Sequence, residues 1–181
     1  MAAKRIVITG GPGSGKTALI KYLEEKGHAV QHEISREVTL KAQEEGIAQL
    51  FLESPILFSQ KLLEGRLEQY EEADQSLHSV IFYDRGIADV TAYLDFVKVH
   101  YPPNFEKECQ LRRYDVVFLL PPWEQIYVPD NERYESFEQA EAIFHHLKKG
   151  YEKYGYSLYE VPIGTVEERT KFILETLKAL L

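Results

Sequence analysis

The sequence holds one cysteine, Cys109, in 181 residues, so no internal disulfide can close and no cysteine framework can staple the chain. Long apolar runs are missing as well. The first such stretch, residues 6–8, is too short for a signal-peptide core or a membrane span. Together the two shortages predict a reducing, cytoplasmic setting. Positive charge is also scarce: 21 Lys plus Arg stand against 29 Asp plus Glu, a formal charge of −8. Such a surface repels phosphate polymers, which speaks against a general nucleic-acid binder and against a binder of anionic membranes. No internal repeat, low-complexity tract or interdomain linker interrupts the chain. What is present, 44% apolar and 28% charged residues, is the composition of one globular domain over 1–181 with a sizeable core. Composition leaves the oligomeric state open.

Apolar runs alternate with helical patterns. Residues 6–8 read as a buried strand ended by Gly10 and Gly11, and 17–26 carries Leu19, Ile20 and Leu23 at helical spacing before Gly27 stops it. A second short strand is expected over 28–34, then a helix from about 36 to 45 that ends at Gly46. Ser54 and Pro55 are a cap followed by proline at the first helical position, and they open a long helix reaching about residue 73. Strands are predicted over 79–83, 114–120 and 156–161, with a helix from 87 to about 100. Thr165 and Glu168 form a capping box for a C-terminal helix. Strands alternating with helices argue for an α/β fold: a parallel sheet covered on both faces. Residues 121–136, rich in proline and charge, read as a long lid-like excursion after the fourth strand.

Between the first strand and the first helix lies GGPGSGKT, residues 10–17, which satisfies G-x-x-x-x-G-K-[ST] in the strand-to-helix context the motif requires. Its glycines let the backbone amides of residues 13–17 turn inward, and the helix N-terminus adds the positive end of its dipole. Lys16 is placed to reach the β and γ phosphates of a nucleotide, and the Thr17 hydroxyl to ligate Mg²⁺. The nucleotide-binding set is Gly10, Gly11, Pro12, Gly13, Ser14, Gly15, Lys16, Thr17 and, opening the helix, Ala18. A dinucleotide loop fits poorly, because after Gly11 and Gly13 its third glycine would fall on Lys16.

Two further clusters meet the same sheet edge. IFYDRG, residues 81–86, ends an apolar strand on Asp84, which puts a carboxylate where parallel α/β proteins bind ligands. Asp84 is the candidate metal aspartate, and Arg85 the clamp on a hydroxyl-bearing acceptor. The plain alternative is a helix cap and a surface ion pair. HEISREV, residues 32–38, brings Glu33 out one strand over as candidate general base, with Arg36 and Glu37 as alternative substrate contacts; solvated charges at a helix start would look the same. In the excursion Arg133 is the single arginine and the candidate lid cation. His28 and His32 lie about 13 Å apart on a strand, too far to chelate one ion. His145 and His146 point to different faces of a helix, and Cys109 lacks any nucleophile signature, so all three are read as packing or surface residues.

The segments TGGPGSGKT, EISREV, YDRGIADVTAY, VFLLPPWEQIYVPDNERYESFEQA and GYSLYEVPIGTVEER together resemble the bacterial ATP-binding AAA-domain family of small P-loop proteins. That family is related to the nicotinamide-riboside kinase domain of bacterial NAD-biosynthesis regulators and, more distantly, to deoxynucleoside and thymidylate kinases. The resemblance spans nearly the whole chain and implies a three-layer α/β/α sandwich with a five-stranded parallel sheet in the order 2-3-1-4-5. It further implies ATP and Mg²⁺ as cofactors, residues 10–17 at the triphosphate, Asp84 at the metal, Arg85 and Glu33 at the acceptor, Arg133 in the lid and residues 162–165 at the base. A lone lid arginine speaks against a phosphorylated acceptor. The expected activity is transfer of the γ-phosphate of Mg·ATP to a small, nucleoside-like hydroxyl acceptor. The alternative is a nucleotide-gated regulatory protein that hydrolyses ATP or GTP slowly; a kinase of RNA or DNA 5′ ends is disfavoured by the acidic surface.

Overall fold

The computed structural model describes residues 3–47, 49–127 and 136–181. Its centre is β1 (Lys4–Gly10), buried from Arg5 onward, which pairs in parallel on both sides. On one side lies β3 (Val80–Asp84), with Ile8 opposite Asp84; on the other lies β4 (Val116–Leu120), with Gly10 opposite Leu120. The short strands β2 (Ala29–Gln31) and β5 (Leu158–Glu160) close the edges, giving a five-stranded all-parallel sheet in the order β2-β3-β1-β4-β5. The strand order implied by the resemblance is the one observed.

Strand residues alternate between two apolar layers, as a pleat covered on both faces requires. Ile6, Ile8, Phe82, Phe118 and Leu120 pack on α1 (Lys16–Glu25) and α8 (Val166–Leu180) through Leu19, Leu23 and Ile173. Val7, Ile81, Tyr83 and Val117 face the opposite layer, formed by α4 (Pro55–Glu72), α5 (Ile87–Phe96), α6 (Pro103–Leu111) and α7 (Phe137–Lys153). A smaller cluster, Ala42, Leu50 and Phe58, ties α2 (Ser35–Glu44) and α3 (Leu50–Glu53) to α4. Cys109 is buried in the second layer beside the Thr91 hydroxyl, and burial pushes its thiol up to about 11.

Several bounds differ from those read in the sequence. β2 covers three residues rather than seven, because the chain turns after Gln31 into the Glu33–Ser35 start of α2. α5 stops at Phe96, where Lys98 adopts φ 57° and the Val99 N–H reaches back to the Leu94 carbonyl, closing the helix in the left-handed manner usual for glycine. α6, which the sequence reading left unassigned, starts on Pro103 at its first position. The capping boxes of Ser136 with Gln139 and Thr165 with Glu168 both form.

Candidate active site

The loop between β1 and α1 wraps tightly because three glycines permit it. Gly13 and Gly15 take φ 70° and 72°, and a Cβ on Gly10 would fall 2.8 Å from the Leu120 carbonyl oxygen. Three loop carbonyls are held from outside. Gly10 O accepts from Arg85 Nη1 at 3.2 Å, Gly13 O from the Trp123 amide at 3.2 Å, and Ser14 O from Arg169 Nη2 at 2.9 Å. Inside the loop opens a cavity of about 650 Å³ lined by residues 11–18 together with Lys21, Ser35, Arg85 and Tyr93. Thr17 and Ala18 are exposed at the start of α1.

Lys16 is buried at the cavity floor and ion-paired to the Asp84 carboxylate, itself 6% exposed. Burial, then the neighbouring Arg85 charge, lower its pKa against the opposing pull of Asp84. Thr17 and Asp84 offer the hard oxygen donors that Mg²⁺ takes, so the chemistry of the donors fits the ion. Among the described residues no cluster of three or more His, Cys, Asp or Glu side chains could hold a metal unaided.

Arg85 follows β3 directly and sits at φ 74°, a left-handed conformation that costs a non-glycine residue on the order of 1 kcal/mol. Its amide donates to Ile8 O at 3.0 Å, so the turn is pinned to the central strand while the guanidinium swings under the loop. Half-buried there, it lies 5.7 Å from the Tyr93 ring and 3.5 Å from Asp89 Oδ1. Asp89 is almost fully buried and accepts from Thr9 Oγ1 at 2.6 Å, the Gly86 amide at 2.9 Å and the Tyr151 hydroxyl at 2.5 Å. Its charge is compensated by donors from β1, α7 and the β3–α5 turn, and Arg85 is held above its ordinary pKa.

Beside the loop, sharing Ser35, Arg85 and Tyr93 with it, lies a second cavity of about 190 Å³. Glu33 and Arg66 form its polar side; Phe51, Phe58, Leu62 and Val90 supply apolar walls. Burial alone would raise the Glu33 carboxyl, but Arg85, Arg66 and hydrogen bonds from the Ser35 hydroxyl and amide outweigh it and hold Glu33 below its ordinary value. Arg66 comes from α4, is 2% exposed, and links Glu33 Oε1 to the Asp84 carbonyl, at 3.3 Å each.

Lys16, Thr17, Asp84, Arg85 and Glu33 are therefore brought to one sheet edge. Arg36 stands exposed on the first turn of α2 and lines neither cavity, and Arg133 lies outside the described residues. The excursion's described start, residues 121–127, lies over the loop: the Tyr127 ring would meet a Cβ on Gly13 at 2.4 Å. Residues 162–165 form the turn after β5 at the same edge. His32 pairs with Glu24 at 2.9 Å, and His28 packs on the edge of Phe82. Sequence reasoning missed Arg66, Asp89 and Arg169. Their one sequence signal is a charge at a core-facing helical position, which only the assembled sheet distinguishes from a solvated one.

The chain matches the family model described as AAA domain over residues 5–169. No curated protein matches it. Among solved structures it is similar to deoxyadenosine kinase from M. mycoides, with TM-score 0.72, 16% identity, 97% of this chain and 99% of that one covered. It is also similar to the NadR protein in complex with NR, at TM-score 0.75 and 18% identity, covering 99% of this chain and 52% of the other. A third is thymidylate kinase from Candida albicans, at TM-score 0.65, 16% identity, and coverages of 98% and 92%. At these identities the likeness shows a shared P-loop kinase fold. A match over nearly the whole sequence, on a sheet of this order and a loop of this geometry, makes the chain a member of the AAA domain family.

Proposed function

We propose that the protein is a P-loop phosphotransferase that moves the γ-phosphoryl group of Mg·ATP to the hydroxyl of a small, nucleoside-like acceptor. The observation that carries this reading is the junction of two cavities, about 650 Å³ at the loop and about 190 Å³ beside it, which share Ser35, Arg85 and Tyr93. A switch that only binds and hydrolyses a nucleotide has no use for the second. Its aromatic and apolar walls suit a base or similar flat ring, and its carboxylate and guanidinium suit ribose-type hydroxyls. The similar structures agree in kind: the deoxyadenosine kinase has products dCMP and dCDP bound, and NadR is in complex with NR.

In this reading the loop amides and Lys16 hold the triphosphate, and Thr17 with Asp84 would hold Mg²⁺, which when bound would neutralise charge on the phosphate oxygens. Glu33, kept ionised, accepts the acceptor's hydroxyl proton as the new oxygen–phosphorus bond forms and the bond to the ADP oxygen breaks. Arg85 faces both cavities and steadies the transferring group; Arg133 is assigned to lid closure, and Arg36, which lines neither cavity, is given no contact with substrate. The test is incubation with γ-labelled ATP and a panel of hydroxyl acceptors. Sustained label transfer to one acceptor is expected. Slow label release that no acceptor stimulates would instead favour the nucleotide-gated regulator.

A further inference from the structure

Arg169 lies on α8, the helix farthest along the chain from the P-loop, yet its guanidinium meets that loop. It is 3% exposed, and Nη2 donates to Ser14 O at 2.9 Å, while Nη1 would sit 2.8 Å from a Cβ on Gly15. Three facts separate it from an ordinary buried arginine. Among the described residues no carboxylate pairs with it, and burial lowers its pKa. Among the described residues its buried Nε has no hydrogen-bond partner, and neither has the Ser14 hydroxyl. It does not line the 650 Å³ cavity, so it stands behind the loop and not in it.

A peptide unit is planar and trans, so a carbonyl pulled one way turns the following N–H the other way. With Ser14 O drawn back onto Arg169, the Gly15 amide is turned forward into the cavity. The Trp123 amide does the same for the next peptide upstream, holding Gly13 O and so turning the Ser14 amide. A buried cation lacking a counter-ion is costly in the empty protein and becomes compensated once an anion enters the cavity a few ångströms away.

We propose that Arg169 is a positioning residue of the phosphate cradle, fixing the Ser14–Gly15 peptide from behind with its amide toward the cavity and lending the incoming polyphosphate an uncompensated positive charge. This rests on the reading that the loop binds a nucleoside triphosphate. Arg169 contributes to phosphate affinity and little to the stability of the empty fold, the opposite of a plain packing residue.

The test compares wild type, Arg169→Met and Arg169→Lys for melting temperature without ligand and for affinity, by calorimetry, toward Mg·ATP and toward inorganic tripolyphosphate. Arg169→Met is expected to melt no lower than wild type when empty. It should bind both probes about tenfold more weakly or worse, the scale of one lost charge-assisted contact. Arg169→Lys, which keeps the charge, is expected to recover part of that affinity. If Arg169→Met binds tripolyphosphate as tightly as wild type, the inference is overturned and the nucleotide reading stands. It is equally overturned if Arg169→Met melts lower and Arg169→Lys recovers no affinity, which is packing alone. If wild type itself binds neither probe, the nucleotide reading fails and this inference with it.

Discussion

Lys16 and Asp84 form a buried pair, 7% and 6% exposed, so removing one partner does two things at once. Lys16→Ala takes away the charge that would meet the β and γ phosphates, and calorimetry should find no measurable ATP affinity. It also strands the Asp84 carboxylate away from water, so the variant should lose about 3 to 5 kcal/mol in a urea melt. Adding Asp84→Asn should restore much of the stability and none of the affinity. Glu33 gives the second residue-level expectation. Glu33→Gln keeps the shape and the Ser35 contacts but cannot take a proton, so turnover with the true acceptor should fall by about 10²-fold to 10⁴-fold while ATP affinity holds. Because the folded Glu33 value lies below the ordinary 4.5, the unfolded chain takes up its proton first as pH falls. Its contribution to stability is thus present above pH 4.5 and lost as pH drops through the folded value, and the acid limb of the activity profile should fall in that lower window. Of these residues, the loop glycines and Lys16 were legible in the sequence because a motif fixes their spacing, and Asp84 because it ends an apolar strand at the sheet edge where parallel α/β proteins bind ligands. Arg66 was not, since GRLEQ inside a long helix looks the same whether the arginine faces water or Glu33.

At the scale of elements, the start of the excursion is tied down: Trp123 donates to Gly13, the Tyr127 ring covers Gly13 and meets Phe137 edge-on, and Ser136 caps α7. The described residues on either side of 128–135 thus meet the P-loop and α7. Tyr151 of α7 in turn reaches Asp89, the carboxylate beside Arg85. Arg133→Ala is expected to lower turnover by about 10²-fold to 10³-fold while shifting ATP affinity much less, as measured by single-turnover label transfer and calorimetry. Unchanged turnover would move the transition-state cation to Arg85. The helices with strong boundary residues were readable from the sequence, as at Ser54–Pro55 and Thr165–Glu168. β2 was overextended because apolar spacing in AVQHEI cannot tell a strand from the turn that delivers Glu33. α6 was left unassigned in the sequence, although Pro103 suits the first position of a helix, where its missing N–H costs nothing.

Across the whole molecule the sheet is unevenly protected. β1 and β4 are buried along nearly their whole length, whereas β2 and β5 are three-residue edges with part-exposed side chains. Native-state hydrogen exchange should find the slowest amides in β1, β3 and β4, with β2 and β5 opening at a lower free energy. The chain order of strands and helices announced a parallel α/β sheet, but which strand took the centre came from the family likeness, since no local pattern encodes a neighbour. No helix among the described residues is long and apolar enough to cross a membrane. The lone cysteine has a use beyond the site. Cys109 sits in the layer formed by α4 to α7 with its thiol pushed up to about 11, so a disulfide reagent at neutral pH can reach it only when that layer parts. The native chain thus carries its own stopwatch: the rate of thiol labelling counts openings of the core, and its slowing on addition of ATP or an acceptor would weigh each ligand's grip without any engineered reporter.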